Sequence, residues 1–139
     1  MPTLTKRLAL ISEGGFHVFN LTEDVKSVIK ESGIQEGAVL VFYRHSTGAI
    51  MIVEHEAGIL VDLEDVLERI VPVDNDYKHH LREYDNNGAA HVRTGLLNVS
   101  VTIPILNYEL QLGDYQEILV IDMDPGTKSR SVLVQVCGD

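Results

Sequence analysis

The order of strand-like and helix-like segments limits the folds open to this chain more than any other feature. Runs of alternating or continuous apolar residues predict strands, and they lie at 4–11, 16–21, 38–43, 49–53, 99–105, 116–122 and 130–136. Helical patterns are predicted only at 22–32, after residue 62 and from 86 or 87 to 97. Because strands and helices do not alternate as βαβ units, the sequence favours an α+β fold. We expect a single compact domain over residues 1–139, with a mainly antiparallel, β-sandwich-like sheet core and two or three helices.

Capping residues suggest where each predicted helix begins. Thr22 is placed to cap the first helix, which Gly33 would end. Asp62 is placed to cap the second, ahead of an apolar face that closes before Pro72. Asn86 or Asn87 would cap the third, and the turn residues at 14–15, 107–109 and 124–126 separate strands.

Charge and cysteine content narrow the classes of function. The net charge of −10, from 11 basic and 21 acidic residues, argues against nucleic-acid binding, which needs a cationic surface. Cys137 is the only cysteine, so no intrachain disulfide can form and an oxidising compartment is not indicated. No apolar run approaches the length of a membrane span. We therefore expect a cytoplasmic protein that does not engage membranes.

The stretch Tyr77–Gly95 carries three of the six histidines. His79 and His91 are the stronger candidates for a functional site, because imidazole is a common metal ligand and titrates near neutral pH. They can meet only if the segment 81–88 folds back. No HExxH or CxxC spacing is present, so the local pattern does not specify a zinc site. Histidines exposed on a loop and a short helix are the open alternative.

Two further polar segments could bind an anion. The connection 44–48 joins two apolar runs, and its hydroxyls and backbone N–H groups could hold a phosphate with charge from Arg44 or His45. Arg130 could bind an anionic group through two parallel hydrogen bonds. An ordinary Ser/Thr turn and a solvated hairpin charge are the respective alternatives.

The carboxylates Glu54 and Asp62 and the amide of Gln116 are weaker candidates. Glu54 and Gln116 stand at ends of predicted strands, where polar residues are common. A helix cap explains Asp62 as well as a ligand role does.

The ordered set of these segments resembles the YjbQ family, described as secondary thiamine-phosphate synthase enzymes. The resembling features are HSTGA at 45–49, Glu54, Asp62, Tyr77-Lys78-His79, Asn87 with His91, Gly95-Leu96-Leu97, SVTIP at 100–104, LQLGDYQ at 110–116, and Arg130.

The resemblance implies a homotrimer with polar pockets near subunit boundaries. It implies that one pocket is lined by His45, Glu54, Asp62, His79, Asn87, His91, Gln116 and Arg130. Within this pocket we expect catalytic roles for His45, Glu54, Asp62, Asn87 and Gln116, and metal binding by His79 and His91. Ser46 and Thr47 of the connection 44–48 would bind phosphate together with Arg130. A divalent metal, zinc or magnesium, would be the cofactor and a small molecule the substrate.

Three functions follow as hypotheses. The leading one is a transferase that condenses a pyrimidine-methyl pyrophosphate with a thiazole phosphate and releases pyrophosphate. The second is a metal-dependent hydrolase of a small phosphorylated or amide substrate, which needs an open coordination position for water. The third is a trimer that binds a metal or small ligand without catalysis.

Overall fold

The fold is α+β, as the sequence predicts. A computed structural model describes residues 2–82 and 86–139 of the chain. The helices are α1 (Thr22–Ser32), α2 (Ala57–Ile70) and α3 (Gly88–Leu96), with a 3₁₀ turn at Lys78–Leu81. The strands are β1 (Thr3–Ser12), β2 (His17–Asn20), β3 (Gly37–Tyr43), β4 (Gly48–Val53), β5 (Ser100–Leu106), β6 (Glu109–Leu110), β7 (Glu117–Asp122) and β8 (Lys128–Gly138).

The strands form two antiparallel sheets. The larger has the order β1-β8-β3-β5-β6, and the smaller has the order β2-β7-β4. Each strand pairing within the described residues is antiparallel. The long strand β8 lies between β1 and β3, so Leu8 and Tyr43 both pair with Val132 across it.

The two sheets enclose the main core. Inward residues of both sheets, such as Val41 and Val120, pack together with the apolar face of α1. A second cluster on the other face of the small sheet joins Ile121 to Leu67 of α2 and Ala90 of α3. Because β7 contributes to both clusters, the described residues make one domain. None of the helices in these parts of the chain is long and apolar enough to cross a membrane.

The helix boundaries correct two capping predictions. α1 spans the predicted residues, but its N-cap is Leu21, and the Asn20 side chain accepts the Thr22 N–H at 3.0 Å. α2 begins at Ala57, five residues before Asp62. The Glu56 carboxylate is its cap, accepting the N–H groups of the two residues at 58 and 59 at 2.9 and 2.7 Å. Asp62 therefore lies within the helix and is exposed.

The third helix has the N-cap that the sequence predicts. Asn87 occupies that position before α3, but its side chain makes no capping hydrogen bond. The Asn87 side chain instead makes hydrogen bonds with other polar side chains, so it does not cap the helix as the sequence pattern predicts.

Candidate functional site

Polar residues gather at one end of the space between the two sheets. Successive side chains of a strand point to opposite faces, so every second residue shares a face. On β7 two buried apolar residues are followed at this spacing by Asp122, and on β8 a valine stripe is preceded by Arg130. The inward stripe of β3 ends on Tyr43. The same alternation that builds the core therefore places a carboxylate, a guanidinium and a phenol together.

Asp122 is the most deeply placed of these groups, with no exposed surface. Its Oδ1 accepts hydrogen bonds from the Tyr43 hydroxyl at 3.1 Å and from Arg130 Nε at 3.2 Å. Its Oδ2 has no hydrogen-bond partner among the described residues. Burial and the adjacent Asp122 charge raise the pKa of Tyr43, so this phenol stays protonated and acts as a donor.

Gly48 makes this arrangement possible, because without a side chain it lets the backbone of β4 approach β7 and the Tyr43 ring closely. A Cβ on Gly48 would lie 2.4 Å from the Tyr43 ring and 2.8 Å from the Ile121 carbonyl oxygen. Any other residue would displace β4 from β7 or move the phenol off Asp122. The glycine of the predicted polar connection is thus required by packing.

Arg130 joins Asp122 to the connection 44–48. Its NH2 group donates to Thr47 Oγ1 at 3.1 Å and lies 3.7 Å from Asp124 Oδ2. Its NH1 group lies 3.5 Å from His45 Nδ1. Lys128 forms an ion pair with the same oxygen of Asp124. Two cations thus neutralise two buried carboxylates, and the NH1 donors of Arg130 remain beside His45.

His45 is held as a neutral ring. The Ser131 N–H donates to His45 Nε2 at 2.9 Å, so the ring proton of the neutral form lies on Nδ1. Burial and the adjacent Arg130 lower the pKa of His45. At neutral pH the ring therefore offers an N–H donor next to the Arg130 guanidinium.

A hydrogen-bonded chain connects this cluster to the histidine pair. Asn87 Nδ2 donates to Asp124 Oδ1 at 3.3 Å, and Asn87 Oδ1 lies 3.0 Å from His79 Nε2. The rings of His79 and His91 are 4.7 Å apart between centroids. Of the predicted loop 81–88 that brings them together, residues 83–85 lie outside the described residues.

His80, the third histidine of the stretch, has a structural contact. Its Nε2 accepts the Gly88 N–H at 3.0 Å and so holds the first residue of α3. A Cβ on Gly88 would approach that nitrogen to 2.8 Å. This ring therefore positions the helix that carries His91.

Two turns predicted separately support Asp124. The Gly15 N–H donates to the Asp124 carbonyl oxygen at 2.9 Å. A Cβ on Gly14, where φ is +84°, would lie 2.5 Å from the same oxygen. The glycine turn at 14–15 thus packs against the turn at 124–126 and holds the backbone of the site.

The structure brings together six of the predicted site residues and leaves others apart. The connected six are His45, Thr47, His79, Asn87, His91 and Arg130. Ser46 lies in the same connection and is exposed. Glu54, Asp62 and Gln116 do not join the cluster within one chain.

The pairing of β4 with β7 explains this separation for Glu54 and Gln116. Gly48 pairs with Asp122 at the end near the site, whereas Val53 pairs with Glu117 at the opposite end. Five residues of strand span roughly 17 Å. Glu54 and Gln116 flank that far end, where Gln116 Oε1 accepts the Gly113 N–H at 2.8 Å.

Four residues of the cluster were not among the predicted site residues: Tyr43, Asp122, Asp124 and Lys128. The sequence held a usable signal for two of them. Asp122 and Tyr43 share strand parity with buried apolar neighbours, which marks a polar group that points inward. Both residues end predicted strands, at 38–43 and 116–122, and were predicted only as strand residues.

The donor set for a metal is incomplete in the described part of one chain. His79 and His91 supply two neighbouring imidazoles. No group of three or more His, Cys, Asp or Glu side chains that could hold a metal occurs among the described residues. A catalytic zinc ion has three protein ligands, so these two rings alone do not complete such a site.

Comparisons with known proteins all point to one family. A family model described as "UPF0047 protein YjbQ-like" matches residues 6–139. A UPF0047 protein of Methanothermobacter thermautotrophicus is 39% identical over 138 residues, which cover 99% of this chain and 94% of that protein.

Two crystal structures share the fold. A YbjQ-like protein of unknown function from Sulfolobus solfataricus is 26% identical, with a TM-score of 0.88 and coverage of 99% of this chain and 100% of that one. A hypothetical protein from Aeropyrum pernix is also 26% identical, with a TM-score of 0.90 and coverage of 98% and 99%.

Proposed function

The chain belongs to the UPF0047, YjbQ-like family, and on that premise we propose that it is a transferase acting on small phosphorylated substrates. The reaction is the condensation of a pyrimidine-methyl pyrophosphate with a thiazole phosphate. The thiazole nitrogen forms a bond to the methylene carbon, the carbon–oxygen bond breaks, and pyrophosphate leaves with the electron pair.

The observation that carries this proposal is the environment of Arg130. Its guanidinium is anchored by Asp122 and Thr47, which leaves the NH1 donors beside the Nδ1–H of His45. Prepositioned donors of this kind stabilise negative charge that develops on a leaving group. Arg130 and His45 would therefore bind the departing pyrophosphate.

The net charge of the cluster indicates that a cation must accompany the substrate. Arg130 and Lys128 are offset by Asp122 and Asp124, so the cluster has no net positive charge. Magnesium is usually held by substrate phosphates and one or two carboxylates. We propose that the pyrophosphate enters as its magnesium complex.

The experiment is an assay of pyrophosphate release with both thiamine precursors and magnesium. Arg130→Lys keeps the charge but loses the planar donors, and we expect a rate loss of about 100-fold. Lys6→Met, which removes a surface ion pair with Glu31, is the control that should match the wild type. No release above a protein-free blank would reject the transferase.

A second candidate activity rests on the histidine pair. Rings 4.7 Å apart between centroids can supply two ligands to one zinc ion. Zinc bound there would serve a metal-dependent hydrolase or a non-catalytic metal-binding protein. Zinc content after dialysis would fall in His79→Ala and in His91→Ala while the circular dichroism spectrum stays that of the wild type.

Hydrolysis of a phosphate monoester in the zinc-loaded protein, without release of pyrophosphate from the precursor pair, would favour the hydrolase over the transferase. Zinc retention with neither activity would favour the binding protein.

We also propose that the protein is a cytoplasmic homotrimer. Glu54 and Gln116 are exposed and lie at the end of β4 and β7 far from the cluster, so they could join it only from a second copy, and Asp62 is exposed on α2. Exposed apolar side chains suit such contacts: Val61 is 60% and Leu96 is 62% exposed. Light scattering during gel filtration should give about three times the chain mass of 15.4 kDa.

A further inference from the structure

We propose that a second copy of this chain covers the outer face of the large sheet and forms one wall of a cavity beside His45. The outer face is the side of β1, β8, β3 and β5 that is turned away from the small sheet. What the cavity binds rests on the proposed function, whereas the covered surface can be tested without it.

Strand alternation defines the residues of the outer face. Every second side chain of a strand points to the same side, and inward stripes such as Val39 and Val41 of β3 and Val134 and Val136 of β8 are fully buried. The outer face therefore consists of the odd-numbered residues of β1 and β8 and the even-numbered residues of β3 and β5.

The outer face lacks the charges of an ordinary solvated surface. Arg7 is the one charged residue on it, and its other side chains are apolar, hydroxyl, thiol or amide groups. Helix α2, which packs on the far side of the small sheet, provides the comparison. Its exposed residues include Asp62, Glu64, Asp65, Glu68 and Arg69. Depletion of charged residues is the compositional mark of a surface that another protein covers.

The centre of the outer face is apolar, and polar groups beside it are already paired. Phe42 pairs with Leu133 in the register of β3 with β8, and Leu40 lies on the same side of β3. Leu40 is 36% and Phe42 is 37% exposed. Gln135 Nε2 donates to Thr5 Oγ1 at 3.0 Å. Covering this part of the face would therefore bury apolar surface and leave that hydrogen bond in place.

The outer face has the size of an interface between protein chains. Its strands have 7 to 11 residues. At the usual spacings, four such strands cover about 19 Å by about 27 Å, or about 500 Å² before the relief of side chains is added. One partner in a standard interface contributes about 800 Å². The face therefore supplies most of the area that one copy needs.

Charge favours a second copy over other partners. The chain has a net charge of −10, yet the four described strands of the outer face contain no acidic residue, and Glu109 lies outside them on β6. Two copies therefore approach through this face without the repulsion that acidic surfaces would add. An anionic membrane or a nucleic acid would need a cluster of cations, and Arg7 is the only cation on this face.

The outer face is continuous with the candidate site. A cavity of about 630 Å³ is lined by Phe42 and Leu133 of the face and by Arg44, His45 and Ser46 of the connection 44–48. In one chain it is a wide, open depression. A copy that covers Phe42 and Leu133 therefore also closes the cavity in front of His45. Exclusion of water strengthens hydrogen bonds to a developing charge, so a site that stabilises departing pyrophosphate is incomplete in one chain.

The experiment measures the mass of the full chain by light scattering during gel filtration, without substrate or metal. Leu40→Glu places a carboxylate at the centre of the outer face. Ser27→Glu is the matched control, because Ser27 is exposed on α1 and the variant adds the same charge. We expect the wild type and Ser27→Glu to form the same oligomer and Leu40→Glu to have the chain mass of 15.4 kDa, with an unchanged circular dichroism spectrum.

Cys137 reports on the same face without a further substitution. It belongs to the outer face on β8 and is the only cysteine, so dithionitrobenzoate reacts at one site. We expect the thiol to react several-fold faster in Leu40→Glu than in the wild type or Ser27→Glu. All three proteins should react at the same rate in urea.

If Leu40→Glu does not fold, Thr102→Glu replaces it, because Thr102 is exposed and pairs with Leu40 across β3 and β5. A wild-type oligomer whose mass is unchanged by a carboxylate at either position would overturn the inference and leave the homotrimer in place. A monomeric wild type would overturn both. A wild-type dimer that Leu40→Glu dissociates would support the covered face and reject the trimer.

The assay of pyrophosphate release separates the cavity wall from the proposed reaction. Release by monomeric Leu40→Glu at the wild-type rate would overturn the role of the second copy at the cavity. No release by a wild type that Leu40→Glu dissociates would reject the transferase and leave the covered face in place.

Discussion

Arg130 Nε lies 3.2 Å from Oδ1 of Asp122, a carboxylate with no exposed surface. Removing one partner of a buried pair leaves an uncompensated charge, which costs about 3–5 kcal/mol. We expect Arg130→Met to lower the free energy of unfolding by about that amount, measured by urea denaturation. Adding Asp122→Asn should restore part of the loss.

The surface pair of Lys6 and Glu31, at 2.8 Å, provides the comparison. Both side chains are well exposed, so Lys6→Met should cost at most about 1 kcal/mol. Equal losses in Arg130→Met and Lys6→Met would mean that the Asp122 charge is not buried in solution.

The start of α2 gives a test that separates two carboxylates. Glu56 accepts two backbone N–H groups, and these hydrogen bonds lower the pKa of Glu56. We expect Glu56→Ala to lower the melting temperature and Asp62→Ala to leave it unchanged, by differential scanning calorimetry. A larger drop for Asp62→Ala would place the helix start where the sequence pattern alone predicted it.

The turn between β5 and β6 contains an unfavourable backbone conformation. Asn107 and Tyr108 form a two-residue hairpin loop with φ of 52° and 68°. Positive φ at both positions is the type I′ geometry, in which glycine is preferred at the second. Tyr108→Gly should therefore raise the free energy of unfolding by about 0.5–1 kcal/mol.

Asn107→Gly is the matched variant at the first position of the loop. Because asparagine already tolerates positive φ, its gain should be smaller than that of Tyr108→Gly. Destabilisation by Tyr108→Gly would mean that packing of the phenol outweighs the backbone cost.

The environment of His45 predicts a pH dependence of stability. Burial and Arg130 lower the pKa of His45, so the unfolded chain binds this proton at a higher pH than the folded chain. The unfolded state thus holds more protons between the two pKa values, and stability falls as the pH drops through the ordinary imidazole range. Below the folded pKa this contribution levels off.

His45→Gln removes the titration and keeps an acceptor for the Ser131 N–H. As the pH falls from about 7.5 to 5.5, the free energy of unfolding of the wild type should decrease relative to that of the variant. Parallel curves over that range would show that the ring titrates alike in both states.

Local patterns in the sequence predicted a good deal of this molecule. Alternation predicted the long strands, and Gly33 and Asn87 marked the end of α1 and the N-cap position of α3. The α+β class and the family resemblance are confirmed. The start of α2 was missed because Glu56 is an uncommon cap residue, whereas Asp62 has the favoured side chain in an ordinary helical position.

What the sequence determined by itself is the set of strands, the face on which each side chain lies and the identity of the polar groups. These depend on a period of two residues and on turn chemistry, which are local properties of the backbone. Only the tertiary structure decided which groups meet. Strand direction and register place Gly48 beside Asp122 and Val53 at the opposite end, and pairing between segments tens of residues apart is set by burial of both faces at once.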